Sequence, residues 1–199
     1  MPPAKGQVTR EKILNVAEKL FSQKGFDGTS IDRIATAADV NRALIYYHFK
    51  NKDDIIHSLF ERIIGELAAE TDQLGKDTTS AGRSGVSEKV RHEITLLEKR
   101  RKMLRIMLME TLKERGGSEA LFRCADIVIR GETARKDQVP PSELVYEFFT
   151  GFVPIVAFVA FRDKWCKYFG CDSQEALNLF VEAFRRTHLA SHHTEGGAK

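Results

Sequence analysis

The chain has three cysteines in 199 residues, Cys124, Cys166 and Cys171, with no CxxC pair. That count and spacing exclude a disulfide framework and fit a reducing cytoplasm, with the thiols expected to serve as small buried apolar groups. Five prolines and 14 glycines are too few for a collagen-like or low-complexity chain. Long apolar runs are also missing. The longest uncharged stretch, Phe148 to Phe161, has 14 residues and contains Gly151 and Pro154. A membrane span needs about 20, so this stretch is expected to be a buried helix and no membrane partner is expected. Residues 1–10 contain no apolar core of the kind a signal peptide uses, which again points to the cytoplasm. Period-2 alternation is nearly absent, which argues against a sheet. No GxGxxG, Walker loop, HExxH or GxSxG occurs. No catalytic set, resident metal or cofactor is therefore expected, and a helical enzyme is disfavoured.

What is present is an ordinary globular balance, 42% hydrophobic and 30% charged. The net charge is +3, unevenly spread. Residues 1–52 carry nine lysines and arginines against five acids, a net of +4, and the remainder is near neutral at −1. A basic head can meet a polyanion through phosphate contacts and counterion release. Helical periodicity runs through most of the chain. Thr9 is the expected cap of a first helix whose apolar stripe is Ile13, Leu14, Ala17, Leu20 and Phe21, with Gly25 as its stop. Thr29-x-x-Asp32 reads as the cap of a short second helix with an inner face of Ile31, Ile34, Ala35 and Ala38. Asp39 stands where a tight turn wants positive φ, and Asn41 can cap a third helix, about Arg42 to His48. Asn51-x-x-Asp54 opens a long fourth helix to about Leu74. Gly75 to Ser87 reads as a connector. Further helices are expected at about 87–100, 101–114, 118–131, 142–169 and 173–192, with Gly116-Gly117 and Gly131 to Pro141 as breaks, Ser142 and Ser173 as caps, and residues 195–199 as a frayed tail. The cluster Lys99-Arg100-Arg101-Lys102 reads as a solvated helix junction.

Helix, tight turn and short helix over residues 30–49 form a helix-turn-helix, in which the second helix enters the major groove. The chemistry suits that task. Arg42 can donate two hydrogen bonds to a guanine edge, and Tyr46 and Tyr47 combine a phenol for phosphate with a ring for thymine methyls. Lys52 stands beside a helix N-terminus that attracts phosphate. Ile45 and Phe49 are expected to face inward. The run Thr29-Ser30-Ile31-x-x-Ile34-Ala35-x-x-Ala38-Asp39-Val40-Asn41-x-x-x-Ile45-Tyr46-Tyr47-His48-Phe49-Lys50-Asn51-Lys52, with Ala17 to Phe26 upstream, resembles the N-terminal DNA-binding domain of TetR-type transcriptional regulators over roughly residues 9–60. The resemblance implies that Thr29, Ser30, Tyr46, Tyr47 and Lys52 contact DNA backbone or groove and that Arg42 and Ala43 reach base edges. Arg33, Asn41, Leu44 and His48 complete the expected DNA-facing set. Three departures from the family pattern stand out: Asp39 replaces the usual turn glycine, Asn41 the usual serine cap, and Ala43-Leu44 the usual Gly-Thr pair. The last removes a hydroxyl from the reading helix, so relatives' operators do not transfer.

The resemblance implies an all-α homodimer. It has a three-helix head, residues 1–52, joined by a long helix to a larger ligand-binding and dimerisation domain, residues 53–199. Eleven of the 18 aromatic residues fall in the last two helices, more than one core face needs, so helices 142–169 and 173–192 are the expected dimer interface. Pro154 should kink its helix. A cavity lined by His92, Leu96, Met103, Met107, Phe122, Phe149 and Phe152 is expected to take an apolar or aromatic effector. His188 and His192 are spaced i, i+4 but lack a carboxylate pattern, so no metal is expected there. The expected function is a ligand-released dimeric repressor on a near-palindromic double-stranded operator. An activator and a ligand-independent DNA-binding protein are the alternatives.

Overall fold

A computed structural model describes residues 5–77, 83–113, 119–132 and 139–191. Within them the chain forms ten α-helices and one π-helical segment, with no strand among the described residues. The helices are α1 (Lys5–Lys24), α2 (Ile31–Ala37), α3 (Arg42–His48), α4 (Lys52–Asp77), α5 (Arg83–Lys99), α6 (Arg101–Leu112), α7 (Ala120–Glu132), α8 (Pro141–Tyr146), α9 (Val153–Phe169) and α10 (Ser173–Ser191), with the π-helical turn Glu147–Phe152 between α8 and α9. Much of the expected connector is helical, since α5 begins at Arg83. Residues 78–82, the Gly116-Gly117 break, residues 133–138 of the expected loop, His192 and the tail lie outside the described residues.

Two compact units emerge, residues 1–66 with 102–123 and residues 67–101 with 124–199. These units group residues by packing, whereas the division expected after residue 52 follows the chain. Helix α4 runs without a break from Lys52 to Asp77, and α6 joins the first unit although it lies far along the chain.

The first unit packs α1 to α4 around Ile13, Leu14, Ala17, Phe21, Ile34, Ile45, Phe49, Ile55, Leu59 and Phe60, each at most 1% exposed. Ala35 and Ala38 are also buried; their missing bulk lets α3 approach α2. Burial of so many β-branched and aromatic groups makes each large-to-small change here cost about 2–5 kcal/mol. The first helix begins at Lys5, ahead of the expected Thr9 cap. Asp39 takes φ 50°, as the turn requires. Asn41 caps α3 by accepting from the Leu44 N–H at 2.7 Å. Asn51 accepts from the Asp54 N–H at 2.8 Å, and the Asp54 carboxylate accepts from the Lys50 N–H at 2.9 Å.

The second unit buries Val90, Ile94 and Leu97 of α5, Ile155, Val156, Val159 and Ala160 of α9, and Val181 and Phe184 of α10. The expected solvated junction is instead largely ion-paired. Arg100 holds Glu70 through both terminal nitrogens at 3.0 and 2.9 Å, and Arg101 meets Asp163 at 2.5 Å. Arg100 also holds the Glu70 carboxyl below its ordinary range. Two expected caps move. Pro140, not Ser142, precedes α8, and Asp172 rather than Ser173 accepts the N–H groups of Gln174 and Glu175 at 2.8 and 2.9 Å. Those donors keep the Asp172 carboxyl below its ordinary value.

The kink expected at Pro154 takes a particular form. Glu147–Phe152 widens into a π-turn directly ahead of it. A proline ring clashes with the carbonyl four residues back, here Thr150, and the wider turn relieves that clash. The turn encloses a polar cluster. Glu147 and His188 are buried, with Oε2 to Nε2 at 3.3 Å, and the Thr150 hydroxyl lies 2.8 Å from His188 Nδ1. The Tyr146 hydroxyl donates to the His188 carbonyl at 2.5 Å. Cys124 and Cys166 are buried as expected, whereas Cys171 is only half-buried. A hydrogen bond with Cys166 pushes the Cys171 thiol up to about 11.

The stretch Pro141–Phe169 forms 29 helical residues, long and apolar enough by length and composition to cross a membrane. It exceeds the 14-residue run because the helix continues past the charges at each end. One face is buried within the second unit. The other carries Val145, Phe149, Phe161, Trp165, Tyr168 and Phe169, each more than half exposed. The helix expected to be buried thus has one side packed within the single chain.

Candidate nucleic-acid interface

The outer face of α3 is what the head leaves uncovered. Ile45 and Phe49 anchor the helix inward at 0% and 1% exposure. That rotation turns Arg42, Ala43, Tyr46 and Tyr47 outward, and Tyr47 is 80% exposed. Asn41 is exposed beside its cap, and Leu44 and His48 are half-buried at the edges. The His48 ring meets Tyr47 edge-on at 5.0 Å between centroids.

Arg42 is held at two points. Its Nη1 donates to the Asp32 carboxylate at 3.0 and 3.3 Å, and its Nη2 donates to the Tyr46 hydroxyl at 3.2 Å. The guanidinium carbon stands 5.5 Å from the Tyr46 ring centroid. Tyr46 first, then Asp32, raise the Arg42 pKa above its ordinary value.

Ser30 is the N-cap of α2 and accepts from the Arg33 N–H at 3.2 Å, so α2 starts one residue later than expected. Thr29 is therefore no cap. It is 1% exposed, and its hydroxyl donates to the Gly25 carbonyl at 2.9 Å, where α1 ends in a left-handed residue. A side chain so buried cannot reach DNA, which removes Thr29 from the expected set. Nor does Asp32 reach back to cap its helix; Arg42 takes it. Arg33 is exposed and donates to the Gly28 carbonyl at 3.1 Å. Gly28 itself has no room for a Cβ, which would collide with the Lys24 carbonyl oxygen.

Lys52 also differs from expectation. Its ammonium donates to the Phe26 carbonyl at 2.9 Å and lies 4.1 Å above the Phe26 ring. It ties the start of α4 to the α1–α2 corner, with part of its donor capacity spent internally. Sequence reading missed Asp32 as a member of this surface, because nothing in the spacing of residues 32 and 42 says that two helices bring them together.

Of the seven residues expected to line one effector cavity, Met103, Met107 and Phe122 fall in the first unit and His92, Leu96, Phe149 and Phe152 in the second. Met103 and Met107 are core of the first unit, at 2% and 0% exposure. Phe122 and Phe149 are 52% and 62% exposed, and His92 is exposed. Leu96 and Phe152 are buried in the second unit. Two clefts of about 420 and 380 Å³ open in the first unit, one between α1 and α4 and one where α6 meets the α1–α2 corner, and none of the seven lines either. No grouping of histidine, cysteine and carboxylate side chains suited to a metal occurs among the described residues.

Comparison with known proteins places the head. Residues 13–59 match the family model described as bacterial regulatory proteins, tetR family. The HTH-type transcriptional regulator AcrR of Shigella flexneri is 52% identical over 67 residues, covering 32% of this chain and 31% of that protein. The biofilm operon icaADBC HTH-type negative transcriptional regulator IcaR of Staphylococcus epidermidis is 40% identical over 52 residues, 26% of this chain and 28% of that protein. The matched segments thus span less than a third of these relatives. Solved structures extend the likeness to the whole fold: Salmonella enterica GusR (TM-score 0.65, 19% identity, 94% of this chain and 96% of that one) and a SmeT–triclosan complex (TM-score 0.61, 19% identity, 90% and 91%).

Proposed function

We propose that the chain, whose residues 13–59 match the family model of bacterial regulatory proteins of the tetR family, is a sequence-specific DNA-binding transcriptional regulator, a dimeric repressor in the cytoplasm, released from its operator by a small apolar or aromatic molecule. The observation that carries this reading is the outer face of α3, where arginine and two tyrosines stand on a helix fixed by fully buried Ile45 and Phe49. A rigid reading helix loses little freedom on docking. Arg42 and Ala43 face base edges, with Leu44 at their side. Ser30, Arg33, Tyr46, Tyr47 and the remaining donors of Lys52 meet the phosphate backbone, flanked by Asn41 and His48.

Two such heads read a near-palindromic site only when joined. The aromatic face of α9, with Leu179 of α10 at 63% exposure, supplies an apolar surface for a second copy. Half-sites about 34–36 Å apart, or a multiple, follow from placing both heads on one side of the duplex. A negative regulator stands among the relatives, and a structural neighbour was captured with triclosan; both support ligand-released repression here. Within the second unit, Leu96 and Phe152 are the inward-facing members of the expected effector set. Effector and DNA affinities must be reduced by each other by the same factor.

Footprinting on the DNA upstream of the protein's own gene tests the reading. The expected result is a protected, near-palindromic site whose affinity falls steeply with salt and falls at least tenfold in R42A. Binding that ignores both sequence and salt would refute it.

A further inference from the structure

We propose that Asp32, on α2, is a specificity-determining positioning residue of the DNA interface, holding the Arg42 guanidinium in one orientation for base reading. The inference rests on the reading of α3 as the recognition helix and goes beyond it by giving a role to a carboxylate outside that helix.

Two observations make Asp32 conspicuous. First, it is a carboxylate 66% exposed on the surface that is to meet a polyanion, where bare electrostatics disfavours it. Second, its partner is the arginine best placed to read a base, and the contact joins two different helices, α2 and α3. Stability does not account for the pair, because an exposed ion pair contributes little to folding. Orientation does. Asp32 grips Nη1, the Tyr46 hydroxyl grips Nη2, and the Tyr46 ring lies beside the guanidinium. Each terminal nitrogen of an arginine carries a second N–H, and Nε carries one more. With Nη1 committed to both Asp32 oxygens, Nε–H and the second N–H of Nη2 form the two-pronged donor edge left for guanine O6 and N7. A free arginine on this surface would pair with any phosphate within reach. With Asp32 on one end, Arg42 meets a phosphate already half neutralised, and the carboxylate repels that phosphate besides. Both effects weaken binding to arbitrary duplex more than binding to a site that offers a guanine at the right place.

The test uses the full-length protein and duplexes enriched by it from a random library, titrated beside scrambled duplexes and duplexes in which single G·C pairs are replaced. D32N should lower the ratio of selected to scrambled affinity about tenfold. It should flatten the penalty at one G·C position and leave thermal unfolding unchanged. D32E should keep most of the ratio. Y46F, which releases the other end of the guanidinium, should lower it by a smaller factor. In an R42A background D32N should change the ratio no further. Equal strengthening on every duplex with the ratio preserved overturns the proposal, since Asp32 would then only repel phosphate. So does a loss of the same size in the R42A background. If the wild-type chain enriches no duplex at all, the recognition-helix reading fails and this proposal falls with it; enrichment that is insensitive to D32N removes the proposal alone.

Discussion

Thr29 separates side chains that hold the head together from those that face outward. Its hydroxyl is buried and satisfies the Gly25 carbonyl, so T29V leaves a buried acceptor without its partner. The expected loss is about 1–3 kcal/mol in urea unfolding, with operator affinity kept well below the melting point. A DNA-contacting threonine would give the reverse pattern. Residue identity alone could not have separated Thr29 from Ser30, because both carry a hydroxyl and stand side by side ahead of one helix. What decides is which of them has the extended backbone of a cap, and that depends on where α1 ends. Lys52 teaches the same lesson. Its charge and place beside a helix start were legible, but its grip on the Phe26 carbonyl and ring depends on a corner 26 residues earlier.

Helices α1 and α2 were legible from their apolar stripes, and α3 and α4 from their caps as well: Asn41, Asn51 with Asp54, and Asp39 all act as their chemistry suggests. The later elements were harder to read. No periodicity announces a π-turn, which arises from a conflict between Pro154 and the Thr150 carbonyl. Within that turn Gly151 lies under the His188 ring, where an added Cβ would stand 3.0 Å from Cε1 and 3.2 Å from the Glu147 Oε2. G151A is therefore expected to destabilise the protein by about 1–3 kcal/mol, read by thermal unfolding. The Glu70–Arg100 pair gives a second test. Arg100 lowers the folded-state pKa of Glu70 below its ordinary 4.5, so the contribution is complete above that value and disappears as pH falls through the folded value. E70Q should lower stability at neutral pH and flatten the decline on acidification below about 4.5, measured by urea titrations across pH.

Assembly is where composition spoke clearly and pattern did not. The aromatic excess in the last two helices raised the expectation of a dimer interface, and Phe149, Phe161, Trp165, Tyr168 and Phe169 are each more than half exposed in the single chain. The expected effector cavity was drawn from soft and aromatic residues, which pack cores and interfaces as readily as pockets. Met103 and Met107 went to one core, and Phe122 and Phe149 went to the outside. Replacing Phe161 and Trp165 by glutamate should yield single subunits by light scattering and reduce operator affinity by more than a hundredfold, since two half-sites no longer bind as one. Melting of the second unit should change little, because both side chains are more than half exposed in the single chain.

Met103, at 2% exposure, sits in the same compact unit as the head although it lies far downstream, and the Ser22 hydroxyl approaches its sulfur at 3.9 Å. The unit that holds the helix-turn-helix is thus assembled from two stretches of gene, with some 35 codons between them. A fusion protein that borrows only the first 66 residues would carry an unhealed apolar scar where α6 belongs. Grafting this specificity onto another regulator calls for transplanting the later segment as well.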